Sequence, residues 1–535
     1  MRTRSSLLAA AFAVMAVLLP ASTAGAAPGT AAEDGVTAAT GTGAITWAPC
    51  EEEPSAECGK LAVPIDWSDP GGPTIDLAIA RRKATDPAAR IGSLLVNPGG
   101  PGGSGVEAAY GAPGFFTEEI QRRFDIVGFD PRGVGRSHPV VCSAALYNQM
   151  PYPVMASQAD FDTWKAYTRK LHKDCRARTG PLYDHVDSVD VARDMDAVRA
   201  ALGEEKLTYY GLSYGTLIGQ MYAELFPHRI RALALDSTMD HSLGVKAFLD
   251  TESAAAEDGF DQWAAWCEAD SSCALHGRDI RAFWENLLAK VRRGEVYYPG
   301  VKDRPMTELQ LIYQGVLGNE GPNWRLLTDM LIALDGGTVP EDVPPPPGRQ
   351  PVPGELAQLP TVILCQDYDL RVRDYRQYAA LMRSSARLAP DMRYNPMPIE
   401  DLPICLNQRA TNPQHSLRYK GSAPLLIGTS MHDPATPSTW AANVARQLGP
   451  KAVLLTYEGW GHRIYGKDEC STRHFDEYLI SLTVPAPGTR CSVAAAETMA
   501  KRQAPSWPSS PLHWAGPVAT LSRPEPGHAS VGTSR

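Results

Sequence analysis

Short apolar runs alternate with amphipathic stretches in the first half of the chain. Four runs rich in β-branched and aromatic residues predict strands, at residues 91–96, 124–129, 207–210 and 230–235. Residues 188–202 predict a helix between two of these strands, with one apolar face made of Val191, Met195, Val198 and Leu202. Strands that alternate with helices predict an α/β fold with a mostly parallel sheet, covered by helices on both faces.

The pattern changes after about residue 240. Residues 241–420 hold helix-like segments, several with tryptophan, and a proline-rich loop interrupts them over residues 339–353. The α/β pattern resumes with a strand at 424–428, a helix at 437–448 and a strand at 452–457. We therefore predict an α/β core made of residues 45–240 and 421–491, with a mainly helical cap, residues 241–420, inserted between its two parts. Residues 492–535 are a tail rich in proline and serine, to which we assign no fold.

The N-terminal residues have the pattern of an export signal. Arg2 and Arg4 precede an apolar run over residues 7–19, and small residues follow as far as Ala27. This pattern predicts a secretory signal peptide over residues 1–27, since the run is shorter than the roughly 20 residues of a membrane span. Residues 28–44 are expected to form a mobile leader or pro-segment. No later stretch is apolar enough to span a bilayer, so we expect a secreted, extracellular protein without membrane contact.

Charge and cysteine content narrow the class of protein. The 51 basic and 60 acidic side chains leave a formal charge of −9, which argues against nucleic acid as a partner. Ten cysteines suit an oxidising compartment, although sequence alone does not fix their connectivity. No C-x-x-C pair is present and the 12 histidines are scattered through the chain, so we expect no metal. We also expect no cofactor, and a monomer. The pairs that we predict between sequence neighbours are Cys50–Cys58, Cys142–Cys175, Cys267–Cys273, Cys365–Cys405 and Cys470–Cys491.

A Gly-x-Ser-x-Gly sequence at residues 211–215 lies between a predicted strand and a predicted helix. This setting is typical of a nucleophile elbow, where a tight turn exposes the serine hydroxyl above the sheet. The motif alone is common by chance, but its position between strand and helix favours Ser213 as a nucleophile. The sequence therefore predicts a serine hydrolase.

A serine nucleophile needs a base, and the base needs a carboxylate that holds its tautomer. Asp433 follows the strand at 424–428, and His462, in Gly-Trp-Gly-His, follows the strand at 452–457. The order Ser, Asp, His is the one expected for this kind of fold. Successive parallel strands should place both loops at the same sheet edge as Ser213. A helix-capping role is the alternative for Asp433, and Asp236 is the rival acid.

The glycine-rich run 97–105, after the strand at 91–96, is the candidate for oxyanion stabilisation. Glycines let backbone N–H groups approach a substrate closely. We assign one oxyanion donor to Tyr214 N–H and the other to Gly99 or Gly100. The spacing Gly-x-Gly-x-x-Gly also occurs in this run, but Pro101 removes a donor there, which disfavours phosphate binding.

A second motif follows the strand at 124–129. Asp130 and Arg132 lie in Asp-Pro-Arg-Gly-Val-Gly-Arg-Ser, residues 130–137. We expect these two residues to brace the site rather than to react.

Five segments together resemble the secreted actinobacterial tripeptidyl aminopeptidases, which belong to the proline-iminopeptidase-like branch of the α/β-hydrolase fold. The segments are residues 97–105, 130–137, 211–216, 433–437 and 459–462. The resemblance implies the α/β-hydrolase fold with an inserted cap, and release of short peptides, usually tripeptides, from free N-termini. Several members of this group are carboxylesterases, so an esterase with the same triad is the alternative function. A catalytically silent binding protein is disfavoured because the triad and the glycines are all present.

An aminopeptidase also needs an acid for the substrate ammonium group, because a charge-assisted hydrogen bond is the strongest recognition available. The resemblance implies that this acid comes from the cap. Our two candidates are Glu320, in Asn-Glu-Gly-Pro, and Asp367, after Cys365 and Gln366. An ordinary solvated or capping carboxylate is the alternative for each of them.

Overall fold

The computed structural model describes residues 43–297, 305–318, 324–336 and 352–493. The predicted signal peptide, nearly all of the leader, most of the proline-rich loop, Glu320 and nearly all of the tail lie outside the described residues. Within the described ranges, no helix has both the length and the apolar character needed to cross a membrane.

A ten-stranded sheet forms the centre of the fold. Its order is β1-β2-β3-β5-β4-β7-β8-β10-β11-β12, and every pair from β5 to β12 is parallel. The pairs β1–β2, β2–β3 and β3–β5 are antiparallel. Strands β6 and β9 make a separate antiparallel pair. In chain order the strands are β1 (Ala48–Pro49), β2 (Glu57–Pro64), β3 (Thr74–Arg82), β4 (Gly92–Asn97), β5 (Phe124–Phe129), β6 (Val141–Ser143), β7 (Leu207–Leu212), β8 (Ile230–Asp236), β9 (Leu356–Gln358), β10 (Leu425–His432), β11 (Ala452–Trp460) and β12 (Arg490–Cys491).

The α-helices fall into three groups along the chain. Those before residue 240 are α1 (Gly105–Phe115), α2 (Glu118–Arg123), α3 (Ala144–Asn148), α4 (Gln158–Thr179), α5 (Ser188–Ala201) and α6 (Tyr214–Leu225). Those of the cap region are α7 (Val245–Ala269), α8 (Ile280–Arg292), α9 (Glu308–Gly318), α10 (Trp324–Gly336), α11 (Thr361–Asp367), α12 (Tyr375–Leu388) and α13 (Pro396–Ile404). The last two are α14 (Ser438–Leu448) and α15 (Glu469–Ser481).

Alternate residues of the central strands face two separate apolar cores. Leu95 of β4 and Leu235 of β8 pack with residues of α5, α6 and α14 on one face. Leu94 of β4 and Ala234 of β8 pack with residues of α1, α2 and α15 on the other. Both faces of the sheet are therefore covered by helices, which confirms the predicted α/β fold class.

Residues 141–184 precede the predicted cap but pack against it. Strand β6 pairs with β9 of the cap region, Val141 opposite Gln358. His172 of α4 is buried, and its Nε2 lies 2.8 Å from the carbonyl of Ile404, at the end of α13. This segment therefore lies with the cap helices, although its sequence position is within the first part of the core.

The five predicted disulfides are confirmed. All ten cysteines pair with their sequence neighbours, at separations of 6 to 40 residues along the chain. The Cys365–Cys405 bridge joins α11 to the end of α13. Cys470–Cys491 joins α15 to β12 at the edge of the sheet.

Candidate active site

The strands β4 and β7 are neighbours, and the order in which the chain adds strands to the sheet reverses between them. From β4 the chain crosses to β5 on one side, and from β7 it crosses to β8 on the other. Ligands of open α/β sheets bind in the crevice at such a point. The glycine segment 97–105 begins at the last residue of β4, and Ser213 follows β7, so both lie at this crevice.

Ser213 has a backbone conformation that residues with a side chain rarely adopt, with φ 58° and ψ −124°. Its N–H donates to the carbonyl of Asp236 at 3.0 Å. Its own carbonyl accepts from Thr216 Oγ1 at 2.6 Å. Gly215 leaves the space that the turn requires, because a Cβ there would lie 2.7 Å from Asn97 Oδ1. The turn holds Ser213 half-buried between strand and helix, as in a nucleophile elbow.

The structure brings Asp433 and His462 together. These residues follow the parallel neighbours β10 and β11, which pair His432 with Trp460 at their ends. His462 Nδ1 lies 3.0 Å from both carboxylate oxygens of Asp433. The imidazole is therefore oriented by the carboxylate, with Nε2 on the opposite side of the ring.

Asp433 is 2 % exposed, and its carboxylate is held by several donors. The N–H groups of Ala435 and Thr436 donate to Oδ1 at 2.9 Å. The hydroxyls of Ser237 and Thr436 donate to Oδ2 at 2.8 and 2.9 Å. Burial would raise the pKa of Asp433, but His462 and these hydrogen bonds lower it below its usual value. The carboxylate is thus kept charged beside the imidazole.

Asp236, the rival acid, supports the loop that carries His462. Its carboxylate accepts from the N–H groups of Ile464 and Tyr465, both at 2.9 Å, and from the Tyr210 hydroxyl at 2.8 Å. The residue is fully buried, and this burial raises its pKa. Three donors from β7 and the His462 loop converge on Asp236, whereas the carboxylate on the imidazole is Asp433.

The glycine segment approaches the elbow closely. A Cβ on Gly99 would lie 2.3 Å from Leu212 O and 3.0 Å from Tyr214 N. Tyr214 is the first residue of α6, where an N–H has no partner within the helix. Gly99 N–H donates to Asn97 Oδ1 at 2.9 Å, so this donor is already used. The expectation of a second oxyanion donor at Gly99 or Gly100 therefore narrows to Gly100.

Asp130 and Arg132 brace the crevice, as expected. Asp130 accepts from Val106 N–H at 3.1 Å and from the Ser104 hydroxyl, which fixes the end of the glycine segment onto α1. Arg132 is fully buried and binds Asp194 of α5 through two hydrogen bonds, at 2.6 and 2.7 Å. Neither side chain is placed to take part in the chemistry.

Asp367 is enclosed between the cap and the elbow. It is 0 % exposed, at the end of α11. Its oxygens accept from Ser188 Oγ at 2.6 Å, from Asn412 Nδ2 at 2.8 Å and from the Tyr214 hydroxyl. Burial, followed by the charge of Asp187, raises its pKa to about 7. Asp367 thus joins the cap to the elbow through Tyr214, and its role as the acid for the substrate ammonium stays a prediction.

Glu252 on α7 is a carboxyl group that the sequence analysis missed. It is 4 % exposed, and its Oε2 accepts from Asn395 Nδ2 at 2.8 Å. The same Nδ2 donates to the carbonyl of Pro434, next to Asp433, at 2.9 Å. Burial, then Asp433, then Asp401 raise the pKa of Glu252 well above its usual value.

A signal for Glu252 was present in the sequence. It falls at helical spacing among the buried residues Phe248, Leu249, Ala256 and Phe260 of α7. An acid inside an apolar helical stripe rarely faces solvent, and it needs a buried partner.

A small cavity, about 20 Å³ in volume, lies mostly among residues of the cap, next to Gly102 of the glycine segment. Pro360 forms its edge on the core side, since a Cβ on Gly102 would lie 2.7 Å from Pro360 Cβ. Asp401, whose charge acts on Glu252, is on its wall. Asp401 therefore links the wall of this pocket with Glu252 through its charge. The lining residues of the pocket are Tyr147, Tyr313, Gln358, Leu359, Pro360, Thr361, Met397, Glu400 and Asp401.

Comparison with known proteins agrees with this geometry. The chain matches the model of the alpha/beta hydrolase fold family over residues 92–468. Serine protease Hip1 of Mycobacterium tuberculosis is 32% identical over 488 residues, which cover 84% of this chain and 91% of that protein. Tripeptidyl aminopeptidase of Streptomyces coelicolor is 28% identical over 472 residues, which cover 84% of this chain and 86% of that protein.

A third relative differs in the activity that its name gives. Carboxylesterase B of Mycobacterium tuberculosis is 30% identical over 474 residues, which cover 82% of this chain and 86% of that protein. The match of the family model and the extent of these similarities confirm the resemblance that the motifs indicated. The chain belongs to the α/β-hydrolase fold family, and it is a serine hydrolase.

Proposed function

We propose that this protein is a secreted serine exopeptidase that releases short peptides, most often tripeptides, from free N-termini. The observation that carries the proposal is Glu252, a buried carboxyl group of the cap beside the loop of Asp433, with Asp401 near it. An aminopeptidase needs such a group, whereas an esterase for neutral substrates gains nothing from it. The relatives named as a serine protease and a tripeptidyl aminopeptidase support the same activity.

In this mechanism Ser213 is the nucleophile, His462 the base and Asp433 the orienting acid. Ser213 Oγ attacks the carbonyl carbon of the scissile bond, and its proton moves to His462 Nε2. The tetrahedral oxygen is stabilised by the N–H groups of Tyr214 and Gly100. His462 gives the proton to the leaving nitrogen as the C–N bond breaks, which leaves an ester on Ser213. Water then attacks this ester, its proton passes through His462 to Ser213 Oγ, and the peptide is released as a carboxylate.

The substrate ammonium group binds at the carboxyl groups of the cap in this proposal. Glu252, Glu400 and Asp401 are the acidic residues near the pocket beside the glycine segment. An ammonium group there would lower the pKa of Glu252 and restore its charge, because opposite charges favour each other's ionised forms. An N-acetylated substrate carries no positive charge, so it cannot form this charge-assisted hydrogen bond and should bind more weakly.

The length of the released peptide depends on the distance between the ammonium site and Ser213. Three extended residues span about 10 Å. A carboxyl group held at that distance from Ser213 would bind the N-terminus and place the third peptide bond at the nucleophile. The tripeptidyl aminopeptidase among the relatives supports three residues.

Export is proposed on two grounds. The first is the signal-peptide pattern of residues 1–27, and the second is the set of five disulfides. Disulfides of this kind persist in oxidising compartments outside the cytoplasm.

A carboxylesterase is the second candidate, and the relative named carboxylesterase B favours it. The catalytic groups are the same in both cases. The dependence on a free N-terminal amine separates the two functions.

The test compares kcat/KM for a tripeptide p-nitroanilide with a free N-terminus and for its N-acetylated twin. Glu252→Gln should lower kcat/KM for the free substrate about 10- to 150-fold, the loss expected for one charge-assisted hydrogen bond. Activity on the acetylated twin should change little. Ser213→Ala gives the background rate.

Glu257→Gln is the matched control. Glu257 is another buried carboxyl group of α7, but it binds the N–H groups of Asp391 and Met392 at 3.0 to 3.2 Å, away from the Asp433 loop. This variant should keep the preference for the free amine. Equal rates on the two substrates in the wild-type protein would refute the exopeptidase proposal and favour the esterase. An intact preference in Glu252→Gln would remove Glu252 from the ammonium site.

A further inference from the structure

Four aromatic side chains form a continuous cluster between the catalytic loops and the cap. We call this cluster, made of His432, Trp460, Trp324 and Trp266, the aromatic wall. The ring centroids of His432 and Trp460 are 5.8 Å apart with an interplanar angle of 20°. Those of Trp460 and Trp324 are 5.0 Å apart, and those of Trp324 and Trp266 are 5.7 Å apart.

The aromatic wall is held rigidly next to the triad. His432 immediately precedes Asp433, and Trp460 is two residues before His462. Helix α7 fixes both rings: Asp258 Oδ2 lies 2.8 Å from His432 Nδ1, and Trp460 Nε1 donates to Gln262 Oε1 at 3.1 Å.

Three of the four rings of the wall are partly accessible. His432, Trp460 and Trp266 are each only partly buried. The indole N–H of Trp266 is satisfied by Asp270 Oδ2 at 3.2 Å, as that of Trp460 is by Gln262. Because both indole N–H groups already have acceptors, a ligand would contact the ring surfaces of the wall. Such surfaces bind apolar and aromatic groups.

The sheet order determines which part of a substrate meets the wall. In the order β4-β7-β8-β10-β11, the glycine segment lies on one side of Ser213 and the Asp433 and His462 loops lie on the other. His462 must give its proton to the leaving group, so the leaving group lies on the His462 side. In the proposed function the acyl part extends from Ser213 toward the carboxyl groups of the cap, Glu252 and Asp401.

We propose that the aromatic wall binds the first residue after the scissile bond and favours an apolar or aromatic side chain at that position. The proposal rests on the proposed function for the direction of the peptide. It adds a specificity site for the leaving group, at Trp460 above all. A wall that only attached the cap to the core would affect all substrates equally.

The experiment uses two esters of one tripeptide with a free N-terminus, a benzyl ester and a methyl ester. Both have the same acyl part, and kcat/KM reports the acylation step, in which the leaving group is present. The wild-type protein should prefer the benzyl ester beyond the chemical reactivity difference measured without enzyme. Trp460→Leu should lower the ratio of kcat/KM for the benzyl ester to that for the methyl ester about three- to tenfold.

Trp47→Leu is the matched control, because Trp47 is also partly buried but lies next to β1, at the opposite edge of the sheet. Its preference should equal that of the wild-type protein. The proposal is overturned if Trp460→Leu lowers both esters equally, or if the preference does not change. Esters are cleaved by serine peptidases and esterases alike, so this result does not depend on the free-amine test. If N-acetylated esters are turned over as fast as free ones, the proposed function fails while the leaving-group preference is still measured.

Discussion

Asp433→Asn keeps the shape of the side chain but removes the charge that faces His462 Nδ1. The substituted amide can present its NH₂ group to the imidazole, which then holds the wrong tautomer for taking a proton from Ser213. In triads of this kind the loss in kcat is on the order of 10⁴. That factor corresponds to about 5.4 kcal/mol in the activation barrier.

Asp236→Asn should act on stability instead. The carboxylate of Asp236 accepts three hydrogen bonds, from Ile464, Tyr465 and Tyr210. An amide has one oxygen, so at least one buried donor loses its acceptor, at a cost of about 1–3 kcal/mol in the free energy of unfolding. The His462 loop should stay in place at low temperature, with kcat lowered by about tenfold or less.

The assay measures kcat on a free tripeptide p-nitroanilide, together with the urea midpoint of unfolding, for both variants and the wild-type protein. We expect a large loss of kcat in Asp433→Asn and a lower midpoint with most of the kcat retained in Asp236→Asn. The opposite pattern, with kcat lost in Asp236→Asn and retained in Asp433→Asn, would make Asp236 the catalytic acid and refute the assignment.

Two further substitutions test contacts around the crevice: Gly99→Ala acts on the glycine segment, and Asp367→Asn acts on the contact between the cap and the elbow. Gly99→Ala would place a Cβ 2.3 Å from Leu212 O at a φ of 88°, so the segment must shift away from the elbow. We expect kcat to fall about 10²- to 10³-fold, as for the loss of one oxyanion donor, and an unchanged kcat would contradict this role of the segment. Burial and Asp187 raise the pKa of Asp367 to about 7. Between about pH 4 and pH 7 this carboxyl group is therefore protonated in the folded state and ionised in the unfolded state. Wild-type stability should therefore decrease through this range relative to Asp367→Asn, by about 2–4 kcal/mol, and parallel denaturation curves at pH 5 and pH 8 would exclude the effect.

The sheet could be predicted from the sequence because its apolar runs are short and continuous. The prediction for residues 124–129 matches β5, and that for 452–457 falls within the longer β11. The structure extends β7, β10 and β11 by two to four residues toward the catalytic loops. The added residues include Gly211, Met431 and Gly459. The hydrophobic pattern of the sequence alone does not predict a strand at these positions.

The arrangement of the catalytic loops was also predictable, because it follows from the order of parallel strands. Asp433 and His462 each follow a strand directly, so their contact required only that β10 and β11 be neighbours. The disulfides were predictable because each cysteine pairs with its nearest neighbour among the cysteines of the chain.

The contacts of the cap with the core could not be derived from the sequence. Asp367 was expected to face a substrate, but the donors around it come from α5, α6 and the loop at Asn412, far apart in the chain. The packing of α4 against α13 likewise depends on contacts over more than 200 residues. Such contacts are set by tertiary packing, which has no local sequence pattern.

The products from a defined peptide test the central claim most directly. A decapeptide with a free N-terminus and its N-acetylated twin would be incubated with the mature protein and with Ser213→Ala, and the products identified by mass spectrometry. The account predicts an N-terminal tripeptide and the remaining heptapeptide from the free peptide only, and no products with Ser213→Ala. Cleavage of the acetylated twin at a similar rate, cuts inside the peptide, or products from Ser213→Ala would contradict it.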